Sequence, residues 1–157
     1  MTDEIYHLIE KFDTITIFGH VYPDGDCYGS QIGLREALRA TFPEKKVYAL
    51  GSGFRAFLER IAPMDQVDDE VIARSLAIIV DVGNTARIED QRYASARMTI
   101  KIDHHVPDGS WADLEWIETE ALAVCDMIAG FVIEHHLKIS VAGANALCLG
   151  LVTDTGR

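Results

Sequence analysis

The feature that most constrains the fold is a short apolar run that ends on a carboxylate. Leu76–Val80 reads LAIIV, five residues with wholly apolar side chains, and Asp81 follows at once. A run this short and rich in β-branched residues suits a strand buried on both faces, and such strands belong to parallel sheets covered by helices. The pattern recurs along the chain. Thr14–Phe18 (TITIF) runs into Gly19-His20, and Lys46–Leu50 ends at the Gly51-Ser52-Gly53 turn. Residues 98–102 deliver Asp103-His104-His105, and Leu114–Ile117 reads as an edge strand. Between these runs lie stretches of helical period: 31–41 behind a cap at Ser30, 54–61 stopped by Pro63, then 121–136 and 141–153. Strands alternating with helices build βαβ units. The expected fold is therefore α/β, a doubly wound, mainly parallel sheet with helices on both faces.

Composition narrows the setting. The 157 residues, 48 % of them hydrophobic, are enough for one domain with a proper core. No apolar run approaches the roughly 18 residues of a membrane span, and the N-terminus lacks a signal-peptide pattern. Three cysteines, an odd number at scattered positions, fit a reducing compartment; the expected location is the cytoplasm, with no membrane partner. With 14 Lys+Arg against 25 Asp+Glu, the net charge of −11 argues against broad electrostatic binding to nucleic acid or anionic lipid. Phosphate substrates stay open to such a chain if its carboxylates hold the cations that meet them.

The chemistry gathers at the strand ends. His20-x-x-x-Asp24-x-Asp26, Asp81 and Asp103-His104-His105 each follow a strand, and ligands of open parallel sheets bind beyond the carboxyl ends of the strands. Carboxylates crowded there without positive charge would repel one another and shift their pKa values upward. Divalent metal resolves this. A His/Asp set without thiolate suits Mn²⁺, with Mg²⁺, Co²⁺ or Fe²⁺ as competitors, and fits structural Zn²⁺ or Ca²⁺ poorly. The number of donors calls for two ions sharing a bridging carboxylate. Cys27, between Asp26 and Tyr28, reads as core packing in preference to a ligand. Asp65, Asp68 and Asp69 read as a solvated acidic loop.

Four segments in order, GHVYPDGDCYGSQ (19–31), DVGNTARI (81–88), IDHH (102–105) and GLVTDTGR (150–157), resemble the signature motifs of the DHH phosphoesterase superfamily. Within it the chain looks most like the bacterial nano-RNases that also remove the 3′-phosphate of 3′-phosphoadenosine 5′-phosphate (pAp). The resemblance implies that His20 and Asp24 ligate one metal ion and Asp26, His104 and Asp154 the other, with Asp81 between them. His105 would stabilise charge on the scissile phosphate, and Asp103 would hold a histidine. Asp154 enters through the resemblance alone, because a TDTG helix end is unremarkable by itself. Gly25 is expected to let the backbone turn so that the two aspartates diverge, and Gly29 and Ser30 to open a helix near the metals. Ser30 is a candidate substrate contact, as is Arg87, for which a salt bridge to Glu89 or Asp90 is the equal alternative. The chain departs from the family at Val82, at Tyr22 and at residues 120–124.

The expected activity is hydrolysis of short oligoribonucleotides to 5′-mononucleotides, and of pAp to AMP, by a two-metal mechanism. The alternatives are a manganese pyrophosphatase, a cyclic-dinucleotide phosphodiesterase, and a metal-binding regulatory fragment without turnover of its own. The partners implied are a short RNA or nucleotide substrate; a homodimer is compatible with the reading. Residues 1–157 would form the catalytic domain, and the C-terminal substrate-binding domain of the family would lie outside this chain.

Overall fold

The computed structural model describes residues 1–53 and 62–155. Its centre is a five-stranded sheet in the order β2-β1-β3-β4-β5, built from β1 (Thr14–Phe18), β2 (Lys46–Leu50), β3 (Leu76–Val80), β4 (Met98–Asp103) and β5 (Leu114–Ile117). Every neighbouring pair is parallel. The chain builds outward from β1 to β2, then returns to the other side of β1 to lay down β3. That reversal opens a crevice between the carboxyl ends of β1 and β3, the place where doubly wound sheets bind ligands.

Alternation along the strands divides the core. Leu76, Ile78 and Val80 of β3 join Ile15, Ile17, Ile100 and Ile102 on one face, under α1 (Thr2–Lys11), α2 (Gly25–Thr41), α4 (Val124–Glu134) and α5 (Val141–Asp154). Ala77 and Ile79 face the other way with Phe18, Leu50 and Ile72, the last of these on α3 (Asp69–Ala73). Two 3₁₀ segments, Thr85–Arg87 and Gln91–Ser95, also lie along the chain between β3 and β4. The edge strand β5 is half-buried throughout.

Several local expectations change. The first helix after β1 starts at Gly25, six residues earlier than the periodicity suggested, because Asp24 and not Ser30 is its cap: the Asp24 carboxylate accepts from the Cys27 N–H at 3.0 Å. Apolar periodicity misses this first turn because its residues face the site. The helix α1 was not anticipated, although Ile5, Leu8, Ile9 and Phe12 carry its signal, with Ile5 and Ile9 buried. Residues 121–123 precede α4, and Asp103 closes β4. The helical reading of 54–61 lies outside the described residues. Asp65 is no solvated loop residue: it accepts from Arg35, Arg39 and the Ala49 N–H, tying α2 to β2.

The helices α2 and α5 pack at backbone distance. A Cβ on Gly29 would meet the Ala146 carbonyl oxygen at 2.4 Å, and one on Gly25 would meet Thr153 Oγ1 at 2.1 Å. Gly25 thus serves close approach to α5, and its φ is not positive. This corrects the expectation of a special turn there. The approach sets the end of α5 beside the start of α2.

Candidate metal centre

Four separate pieces of chain meet in the crevice. His20 follows β1, Asp24 and Asp26 sit at the start of α2, Asp81 follows β3, and His104 and His105 follow β4. Asp154 ends α5. All of these except the buried Asp26 line a pocket of about 290 Å³, and Val82, Gly83, Asn84, Arg87, Val106 and Asp108 complete its wall. Sequence reasoning missed Asn84, Val106 and Asp108, whose one signal is their place in loops that leave the carboxyl ends of β3 and β4.

Asp81 is central. It is 3 % exposed and takes a left-handed backbone at φ 58°, a conformation aspartate tolerates better than most residues. Its N–H is fixed by the Ile102 carbonyl at 3.0 Å. Oδ2 lies 3.5 Å from His20 Nε2, and Oδ1 lies 3.7 Å from His104 Nε2. Around it the donors fall into two groups. On one side His20 Nε2 is 3.6 Å from Asp24 Oδ2. On the other His104 Nε2 is 3.9 Å from Asp26 Oδ2 and 3.8 Å from Asp154 Oδ2.

The supporting hydrogen bonds aim these groups. His20 Nδ1 donates to the Val21 carbonyl at 2.8 Å, His104 Nδ1 to Ala121 at 3.2 Å, and His105 Nδ1 to Asp103 Oδ1 at 2.7 Å. His20 and His104 thereby commit Nδ1 to a backbone oxygen and turn Nε2 to the site, whereas the His105 Nδ1 that Asp103 holds also lies 3.6 Å from Asp81 Oδ1. The histidine that Asp103 holds is His105. Asp26, 1 % exposed, accepts from the Val124 and Cys125 N–H groups at 2.7 and 2.8 Å. It therefore caps α4, whose own cap residue Ala123 provides no side-chain bond.

The electrostatics express a deficit of positive charge. Burial, with Asp26 and Asp24 nearby, raises the Asp81 pKa from 3.8 to about 6. Burial and then Asp26 raise Asp154. Burial works against charge on His20, yet hydrogen bonds to Asp24 and Asp81 lift it from 6.5 to about 12. His104 is likewise raised against its burial, by the Ala121 carbonyl and the surrounding carboxylates. Asp24 moves the other way, held down to about 2 chiefly by its bond to His20. Protons on imidazole here do what a divalent cation does better. Asp81 Oδ1 is buried without a hydrogen-bond partner, an arrangement costly in a folded protein unless a ligand completes it. Imidazole Nε2 and carboxylate oxygens suit a divalent transition metal.

Cys27, His20 and Asp81 also lie close enough to share an ion. Burial raises the Cys27 thiol pKa, and Sγ already accepts from the His20 N–H at 3.2 Å, so it stays a packed thiol. Ser30, the expected substrate contact, is wholly buried inside α2, donates to the Cys27 carbonyl at 3.1 Å and does not line the pocket. Arg87 is exposed on the pocket wall. Its 3₁₀ turn is tied to the end of β1 by Val21 N–H to the Arg87 carbonyl at 2.8 Å and Glu89 N–H to the Gly19 carbonyl at 3.0 Å. Among the described residues it pairs with neither Glu89 nor Asp90; Asp90 pairs with Arg92.

Residues 14–151 match the DHH family, N-terminal domain. The whole chain is 41 % identical, over 160 residues, to the bifunctional oligoribonuclease and PAP phosphatase NrnA of Bacillus subtilis, covering 51 % of that protein. It is 40 % identical to a probable protein of the same name from Streptococcus mutans, covering 95 % of this chain and 48 % of the relative. The chain thus spans about half the length of these curated relatives. A solved structure of an exopolyphosphatase-related protein from Bacteroides fragilis superposes with a TM-score of 0.88 over 99 % of this chain and 50 % of its own, at 24 % identity, which speaks to the fold. Among the described residues no helix is long and apolar enough to cross a membrane.

Proposed function

This chain belongs to the DHH family, and from that premise we propose that it is the metal-holding half of a phosphoesterase acting on short RNA and nucleotides. The reaction is hydrolysis of oligoribonucleotides of a few units to 5′-mononucleotides, and of pAp to AMP and phosphate. The observation that carries the reading is the gathering of three imidazoles and three further carboxylates, Asp24, Asp26 and Asp154, around Asp81, whose buried Oδ1 has no hydrogen-bond partner. The substrate class is supported by the names of relatives at about 40 % identity.

His20 and Asp24 would hold one divalent ion, Asp26, His104 and Asp154 a second, and Asp81 both, with Mn²⁺ preferred. Bound there, the ions supply charge for phosphate oxygens and the acidity that makes water a nucleophile near neutral pH. The chain's own residues do the rest. His105, half-exposed over the pocket and clamped at Nδ1 by Asp103, presents Nε2 to a non-bridging phosphate oxygen. Arg87 offers a second cation from the wall. Residues 1–157 are assigned to the metal-holding domain; the remaining half of the relatives' length has room for a domain that grips the nucleoside. The three cysteines are free, which suits the reducing cytoplasm, where we place the reaction.

The test is turnover with Mn²⁺ on pAp and on a short RNA, for this chain and for one extended to the relatives' length. AMP release from pAp by either supports the reading. Orthophosphate from pyrophosphate, or cleavage of cyclic dinucleotides alone, assigns it to another member of the family. Metal binding without turnover in both chains leaves a binding module and overturns it.

A further inference from the structure

One feature of the cleft floor is unexplained by ligand geometry. Lys101, in the middle of β4, is wholly buried, and so is Asp103 two residues on. Alternation puts Ile100 and Ile102 in the large core and turns Lys101 and Asp103 to the opposite side. A lysine is almost never fully buried without a partner and a purpose. Its Nζ lies 3.2 Å from Asp103 Oδ2, donates to the Gly83 carbonyl at 3.3 Å, and sits 5.2 Å from the Trp111 ring centroid. Gly83 belongs to the loop that follows Asp81.

The two oxygens of Asp103 are divided by this arrangement. Oδ1 takes the His104 N–H at 3.0 Å, the His105 N–H at 3.3 Å and His105 Nδ1 at 2.7 Å. Oδ2 is buried with no hydrogen-bond partner, and the Lys101 ammonium, an ion pair at 3.2 Å, is the charge it faces among the described residues. The ammonium draws Oδ2 to its own side by charge, which opposes rotation of the carboxylate and holds Oδ1 where the imidazole meets it. We propose that Lys101 is a positioning residue that acts through Asp103 to fix the ring orientation and tautomer of His105. Its contact with Gly83 holds the ammonium itself in place. This rests on the phosphoesterase reading for its consequence, but its geometry is testable without turnover.

The test combines Lys101→Met, Asp103→Asn and the double variant with ¹⁵N-histidine NMR of the His105 ring and steady-state kinetics with Mn²⁺. Wild-type His105 should show a single tautomer protonated at Nδ1. Lys101→Met should mix the tautomers and lower kcat roughly 10-fold with KM little changed, and Asp103→Asn should lower it up to about 100-fold. The double variant should match Asp103→Asn, because Lys101 has nothing left to act through. Multiplicative losses, or a His105 ring unaltered in Lys101→Met, overturn the proposal. Should Lys101→Met fail to fold, Lys101→Gln decides: ring state and kcat must move together or both stay, and a lowered kcat with an unaltered ring overturns it. If wild type turns over nothing, the function reading fails while the ring measurement still decides the positioning.

Discussion

Two glycine-to-alanine substitutions should have opposite effects, for reasons that set the metal geometry. Gly29 and Gly130 both lie inside helices, where alanine is favoured by about 1 kcal/mol in propensity. At Gly130, on α4, a new Cβ meets nothing within 4 Å, so Gly130→Ala should gain up to about 1 kcal/mol, a Tm rise of roughly 2–4 °C. At Gly29, on α2, the Cβ would lie 2.4 Å from the Ala146 carbonyl oxygen and 2.9 Å from Cys125 Sγ. Close carbon–oxygen contacts tolerate about 3.3–3.6 Å, so the α5 backbone must retreat by about 1 Å. Overpacking of this kind costs about 1–3 kcal/mol. Offset by propensity, the net loss is up to about 2 kcal/mol, or a Tm drop of up to roughly 8 °C. The retreat also carries Asp154 away from His104, now 3.8 Å apart, and should weaken the ion on that side about 10-fold while sparing the one beside His20. Differential scanning calorimetry and Mn²⁺ titration measure both. A Gly29→Ala protein as stable as Gly130→Ala, with unchanged binding of both ions, would refute the claim that helix approach positions the site.

The two aspartates at the start of α2 should separate by their structural duties. Asp26→Ala strands two buried N–H groups of α4 and should cost about 3–5 kcal/mol in chemical denaturation, whereas Asp24→Ala loses a helix cap, about 1 kcal/mol, and a half-exposed pair with His20, at most about 1 kcal/mol more; equal costs would contradict the capping role of Asp26. Acid unfolding of the metal-free chain tests the Asp24–His20 pair. Because its folded pKa is depressed from 3.8 to about 2, Asp24 stabilises the fold above about pH 4 and loses that contribution as the pH falls towards 2. Asp24→Asn keeps a cap but should lack this part of the acid limb, and identical pH profiles would contradict it.

Much of this architecture was legible in the residues, and the gaps have physical causes. The strands announced themselves because a sheet buried on both faces leaves no room for polar interruption, as in LAIIV. Asp81, His104 and the paired aspartates stood out because they end such strands. The start of α2 was hidden because Asp24 works as cap and site residue at once, and the turn behind it buries Asp26, Cys27 and Ser30 where periodicity expects a surface. Lys101 carries no such signal, because a lysine in a strand normally marks an exposed edge and nothing along the chain shows that this one is buried against Asp103. Asp154 has no local signal. It reaches His104 only through the glycine-lined contact of α2 with α5, a tertiary fact that spacing along the chain does not carry.

The proposed chemistry depends on Asp81 being shared between two ions. Crystals of the chain soaked in Mn²⁺ and measured for anomalous scattering test it directly. Two peaks are expected, one beside His20 and Asp24 and one beside Asp26, His104 and Asp154, each in contact with a different oxygen of Asp81. A single peak, or two of which either stands clear of Asp81, would contradict it.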